Sequence, residues 1–182
     1  MSVEPVFEAV AAAGSEIRDA LAERRSYEEE QNPSGERQLA ADVYADDLLG
    51  ERLLELDSVT TYASEERETV ERRGTAADPH HVSCDPLDGS SNLTSNNAMG
   101  TIVGVYDQPL PAPGDALVAA AYVLYGPITT MVTASEGETT ESLIEDGSRT
   151  VLSEDLTISE DPVTYGFGGR IPDWPPAFAD YV

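Results

Sequence analysis

The octapeptide Asp85-Pro86-Leu87-Asp88-Gly89-Ser90-Ser91-Asn92 is where residue types and spacing point most directly to chemistry. Two carboxylates three residues apart follow the segment Val82 to Cys84, and Pro86 between them stiffens the turn. Paired carboxylate oxygens suit a hard divalent cation such as Mg²⁺, which takes carboxylate, carbonyl and water oxygens. Gly89-Ser90-Ser91 adds unobstructed backbone N–H groups and two hydroxyls, the makings of a phosphate nest if a helix starts just beyond. A metal beside a phosphate cradle is the minimum equipment for phosphoryl hydrolysis. The same residue types also make ordinary turns. Upstream, Ser64-Glu65-Glu66 follows a strand candidate ending at Tyr62, where a strand-end loop can face the octapeptide; taken alone, in so acidic a chain, it reads first as a solvated acidic turn.

The elements that must position these groups are read from periodicity. Residues 3–26 form an amphipathic helix pattern with Val6, Val10, Ile17 and Leu21 on one face. Glu28 to Gly35 breaks it with turn formers. A second helix over 36–56 carries Leu39, Val43, Leu48, Leu53 and Leu54. Strands are expected at 59–62, 82–84, 101–106, 117–124, 128–133, 142–144, 150–152 and 156–159, with a loop over 85–97. Tyr125-Gly126-Pro127 makes a hairpin between two of these strands plausible. Helices first and strands later predict an α+β fold, with N-terminal helices packed on a largely antiparallel sheet.

Composition narrows the setting. The 182 residues carry 35 Asp+Glu against 10 Lys+Arg, a formal net charge of −25, and every basic residue is Arg. Such a surface repels phosphates, which excludes nucleic acid and anionic membranes as partners. No apolar run approaches the roughly 18 to 20 residues of a membrane span. One cysteine, Cys84, allows no internal disulfide and suits a reducing cytoplasm, where it is expected as a small core filler. Apolar residues in periodic blocks argue against disorder and for a folded chain from a salt-saturated cytoplasm, whose salt screens the carboxylates from one another. His80-His81 is expected at the surface, since neighbouring side chains in a strand point apart.

The octapeptide resembles the signature of the Mg²⁺-dependent, lithium-sensitive sugar and inositol phosphatases, in the version of class I fructose-1,6-bisphosphatases. Gly100 to Tyr106, Val118 to Gly126 and Ser64-Glu65-Glu66 resemble flanking segments of that family. The resemblance implies a sugar-phosphatase-like layered fold and a small-molecule sugar phosphate as partner. It implies Mg²⁺ ligation by Glu65, Asp85, the carbonyl of Leu87, and Asp88. It also implies phosphate binding by Asp88, Gly89, Ser90 and Ser91, and catalytic roles for Asp42, Glu66 and Glu36. Asp42 and Glu66 would act on the attacking water, and Glu36 stands in the mobile catalytic loop Asn32 to Glu36 where the family usually has Asp. The implied reaction is hydrolysis of the 1-phosphate of fructose 1,6-bisphosphate, a step of gluconeogenesis. An inositol-phosphate or sedoheptulose-bisphosphate phosphatase, and a non-catalytic regulatory remnant, stay open beside it.

Against that family the chain is short. The family continues into a second lobe holding a last metal-ligand Glu and the Lys, Arg and Tyr residues that grip the sugar. Residues 1–182 are therefore expected to be the N-terminal metal- and phosphate-binding domain, with weak or no turnover alone and a homo-oligomer at full length. Tyr165 to Gly169 occupies the region of a substrate-contacting Asn but contains none.

Overall fold

A computed structural model describes residues 2–33, 35, 37–68, 70–161 and 174–181. Its elements are α1 (Glu4–Ala20), β1 (Tyr27–Gln31), β2 (Arg37–Leu39), α2 (Ala40–Leu54), β3 (Val59–Ser64), β4 (Glu71–Arg72), β5 (His80–Asp88), β6 (Met99–Tyr106), β7 (Leu117–Tyr125), β8 (Thr129–Ser135), β9 (Glu138–Glu145), β10 (Ser148–Ser153) and α3 (Pro176–Ala179). Eight strands form one sheet in the order β10-β9-β8-β7-β6-β5-β3-β4. Every pairing in it is antiparallel except β3 with β5. The fold is α+β, with α1 and α2 layered on this sheet around one apolar core.

The helices bury small and branched side chains at four-residue spacing. On α1 these are Val6, Val10 and Ile17, with Gly14 close against Val123 of β7. On α2 the buried stripe is Ala41, Ala45, Leu49 and Leu53. Val43 is exposed and Leu48 only half-buried, so the expected apolar face of the second helix is rotated. The helix starts at Ala40 because residues 37–39 extend to pair with β1, and it turns Asp42 and Asp46 inward.

The expected break at 28–35 is instead a β1–β2 hairpin, with Tyr27 opposite Leu39 and Gln31 opposite Arg37. Its strands lack apolar alternation; the guanidinium of Arg37 stacks over the Tyr27 ring at 4.9 Å. α1 ends at Ala20 and passes into a 3₁₀ turn over Leu21–Glu23. The hairpin expected around Tyr125-Gly126-Pro127 is present as β7–β8. Residues 156–159 form no strand: Asp155 takes a left-handed φ of 53°, and beyond it the Leu156 N–H bonds Thr139 O of β9 at 3.0 Å without a ladder forming.

His80 and His81 are both buried, against the expectation of a surface pair. They open a strand set between β3 and β6, and each is only 6% exposed. His81 Nδ1 lies 2.7 Å from Thr61 Oγ1 on β3. Cys84 is buried as expected, and burial pushes its thiol up. Among the described residues no helix is long and apolar enough to cross a membrane.

Candidate active site

Strand β5 runs on through Asp88, so Asp85 and Asp88 belong to a strand end rather than to a free loop. Against β6, Asp85 pairs with Ile102 and Asp88 with Gly100, so three steps on β5 span two on β6. That bulge falls at Pro86, which has no N–H to give to a ladder. The displaced Pro86 carbonyl accepts the hydroxyl of Thr101 at 2.8 Å. Thr101 has one hydroxyl proton, so the Tyr125 O–H, 2.7 Å away, donates to Thr101. Asp85 Oδ1 accepts the Leu87 N–H at 3.1 Å and closes the turn from the other side.

Beyond it, Gly89 adopts φ +73°, a conformation that L side chains rarely take, and a six-residue 3₁₀ turn runs from Ser90 to Ser95. The Asn92 N–H bonds Gly89 O at 2.8 Å, and Asn92 Nδ2 bonds Ala98 O at 2.9 Å. The backbone of Gly89 to Ser91 is thereby held in a concave turn, the shape that collects anionic oxygens.

Glu65 and Glu66 occupy the turn after β3. The Glu65 N–H bonds Cys84 O at 3.1 Å, one step past the last β3–β5 register pair. The Glu66 N–H bonds Ser64 Oγ at 3.1 Å. Asp42, at the third position of α2, accepts the Leu39 N–H on Oδ2 at 2.6 Å and so caps the helix.

These elements converge on one cavity of about 610 Å³. Asp42, Glu65, Glu66, Asp85 and Asp88 give it an acidic wall, joined by Leu87 and by Gly89, Ser90 and Ser91. Every expected site residue that is described lines it; Glu36 lies outside the described residues, as do Tyr165 to Gly169. The β1–β2 hairpin closes the remaining side with Tyr27, Asn32, Gly35 and Arg37. Tyr27, Arg37 and the nearby Gln38 were not expected in the site. Their signal is faint in the sequence, since a polar ribbon has no periodicity to read.

Crowded carboxylates perturb one another. Burial, reinforced by the Glu65 and Asp88 charges and a hydrogen bond with Glu65, pushes Asp85 up to about 7, opposed by the Leu87 N–H. Burial likewise raises Glu66; the Gln38 and Asn32 amides oppose the rise, and Asp42 and Glu65 add to it. The donor set is all oxygen and carries repulsion that a cation relieves, which fits a hard divalent metal. Glu65 and Asp85 already pair, although among the described residues no three His, Cys, Asp or Glu side chains converge on a common point.

The layered α+β fold, with carboxylates and a phosphate-shaped turn at one strand end, is that of the sugar phosphatases. Residues 4–151 match the family described as fructose-1-6-bisphosphatase, N-terminal domain, and the chain belongs to this family. It is 61% identical over 182 residues to the class 1 fructose-1,6-bisphosphatase of Natronomonas pharaonis, covering 100% of this chain and 64% of that protein. It is 51% identical over 180 residues to the class 1 enzyme of Halobacterium salinarum, covering 99% of this chain and 63% of that one. The chain thus spans a little under two thirds of the length of these relatives. Among solved structures, the holo form of Leishmania major fructose-1,6-bisphosphatase shares the fold. It superposes with TM-score 0.83 at 24% identity, over 97% of this chain and 61% of that one. A putative sedoheptulose-1,7 bisphosphatase from Toxoplasma gondii gives TM-score 0.71 at 25% identity, over 81% of this chain and 53% of that one.

Proposed function

We propose that this chain is the metal- and phosphate-binding domain of a class I fructose-1,6-bisphosphatase. The reaction is hydrolysis of the 1-phosphate of fructose 1,6-bisphosphate to fructose 6-phosphate and phosphate. The observation that carries the reading is the shared cavity of Asp42, Glu65, Glu66, Asp85 and Asp88 with the Gly89 to Ser91 turn. The names of the relatives from Natronomonas and Halobacterium favour the fructose substrate over inositol phosphate or sedoheptulose bisphosphate.

In this reading Glu65, Asp85, the Leu87 carbonyl and Asp88 hold Mg²⁺, which supplies charge neutralisation at the phosphate and activation of water when bound. The chain's own groups do the rest. The N–H groups of Gly89 to Ser91 and the two serine hydroxyls hold the phosphoryl oxygens in line for attack. Asp42 and Glu66 take the proton of the attacking water as its oxygen bonds to phosphorus. The bond from phosphorus to the sugar O1 breaks, its electron pair stays on O1, and that oxygen takes a proton from solvent to become the free hydroxyl. No covalent enzyme intermediate is required.

The test measures phosphate release in molar KCl with Mg²⁺ from fructose 1,6-bisphosphate, sedoheptulose 1,7-bisphosphate and inositol monophosphate. Preference for the fructose substrate is expected, at a weak rate for residues 1–182 alone. Preference for either other substrate overturns the assignment. Calorimetric binding of Mg²⁺ and inorganic phosphate without release from any of the three puts a non-catalytic binding role in its place.

A further inference from the structure

Two consecutive residues of β2 touch the two acids assigned to the attacking water. The backbone N–H of Leu39 holds Asp42 Oδ2 at 2.6 Å, and the side-chain amide of Gln38 holds Glu66 Oε2 at 2.6 Å. Glu66 lies 28 residues away in sequence, on the turn after β3. Asn32, at the end of β1, reaches the same carboxylate. The hairpin therefore works as a jig: one short strand sets the spacing of both acids.

We propose that Gln38 is a positioning residue that holds the Glu66 carboxylate facing Asp42 and the water it deprotonates. This inference rests on the assignment of Glu66 as a base. Glu66 is half-buried between the like charges of Asp42 and Glu65, and its side chain has three rotatable torsions. Repulsion drives such a carboxylate towards solvent unless a donor restrains it. Ser64 Oγ fixes only the Glu66 backbone N–H, at 3.1 Å, and leaves the carboxylate free to rotate. The Gln38 amide, with a lesser contribution from that of Asn32, supplies the restraint without cancelling the negative charge, which a basic side chain would do. Because Gln38 sits on β2 beside the Leu39 contact, movement of the hairpin displaces both acids together.

The experiment compares the full 182-residue chain with Gln38→Met, which keeps the volume and removes the amide. Gln38→Ala is made alongside it in case the methionine variant does not fold. The expected result is a fall in kcat of about tenfold to a hundredfold, with KM within about twofold, the scale of a misplaced base. Affinity for Mg²⁺ and for inorganic phosphate is expected to stay unchanged by calorimetry. Crystal structures of both forms read the geometry directly: Glu66 is expected to leave the Asp42 side of the cavity in the variant. A Glu66 carboxylate that stays in place, or a change in KM alone, overturns the inference. If the parent chain hydrolyses no sugar phosphate, as a chain spanning under two thirds of its relatives is free to do, the crystal comparison alone decides whether Gln38 positions Glu66.

Discussion

Arg67 Nε lies 2.5 Å from Asp46 Oδ2, tying the turn that carries Glu65 and Glu66 to the helix that carries Asp42. The Tyr62 hydroxyl donates to the other oxygen, Asp46 Oδ1, at 3.0 Å, and the Arg67 guanidinium stacks over the Tyr62 ring at 5.3 Å. Arg67 also pairs with Asp47 and Glu71. Asp46 is 5% exposed, so removing its partner strands a charge away from water. Arg67→Met is expected to cost about 2 to 3 kcal/mol, the lower part of the range for breaking a buried pair, because Arg67 keeps some solvent contact. Urea unfolding in molar KCl measures it, and a loss below about 0.5 kcal/mol would reduce the pair to an ordinary surface contact.

The hydroxyl of Thr101 joins the octapeptide to the core. It gives its proton to Pro86 O and takes the Tyr125 proton, and it is 1% exposed. Thr101→Val keeps the shape but leaves a buried carbonyl and a buried phenol without that partner. The expected cost is about 1 to 3 kcal/mol of stability. Freed at Pro86, the turn between Asp85 and Asp88 is also expected to bind Mg²⁺ several-fold more weakly. Calorimetry checks the second effect; unchanged Mg²⁺ affinity beside a lost kilocalorie would confine Thr101 to a structural role.

Gly100 stands between Asp88 of β5 on one side and Leu124 of β7 on the other. A Cβ there would lie 2.5 Å from Val123 O and 2.6 Å from the Tyr122 ring. The obstacle is partly backbone, so Gly100→Ala must spread the two strands. Loss of the cooperative unfolding transition, or a drop of several kilocalories, is expected in denaturant titration, on the scale of overpacking a tight core. Wild-type stability in this variant would show that β6 and β7 yield easily.

The octapeptide was legible because its chemistry is local: a proline at a strand bulge, a left-handed glycine and serines in one run. Glu65 and Glu66 were legible only through resemblance, since nothing in an acidic turn says which carboxylates face inward. The hairpin escaped notice because Tyr27 to Gln31 alternates no apolar residues; its strands form through backbone pairing and the Arg37–Tyr27 stack. His80 and His81 were misplaced for a related reason. Alternation along a strand sends neighbours to opposite faces, yet both rings are buried and His81 meets Thr61 of the adjacent β3.

Those histidines make the fold sensitive to acid. Burial lowers both; the charge of His81 adds to the effect at His80 while Asp78 opposes it, and Arg72 adds to it at His81. Among the described residues His80 Nδ1 has no hydrogen-bond partner, and protonation would place a charge on that buried ring. A group whose folded pKa is depressed contributes stability that is present above its unfolded value, about 6.5 for His, and lost as pH falls through the folded value. The histidine contribution is therefore expected to decline as pH drops below about 6.5, against the opposite slope of the raised Asp85 and Glu66 carboxyls, and urea unfolding at fixed KCl reads the sum. His80→Phe should flatten part of that slope, and an unchanged slope in this variant would move the sensitivity elsewhere.

Salt is the last expectation, and it follows from the −25 charge. Several cations are paired with acids: Arg149 pairs with Glu4 and Glu8, binding β10 to α1, and Arg52 pairs with Glu16 between the helices. These pairs are partly exposed and weaken as salt rises, while repulsion among the far more numerous carboxylates weakens at the same time. With 35 acids against 10 arginines, repulsion is the larger sum, so the net effect of salt is stabilising. Lowering KCl from molar to millimolar lengthens the screening distance from about 3 Å to beyond 30 Å and lets carboxylates across the whole domain repel. The thermal transition followed by circular dichroism is expected to fall steeply over that range. Divalent cations at millimolar concentration should restore part of it by occupying the cavity of Glu65, Asp85 and Asp88, and restoration by Mg²⁺ should fail in Asp85→Asn. A melt that ignores KCl would mean that core packing outweighs the surface charge.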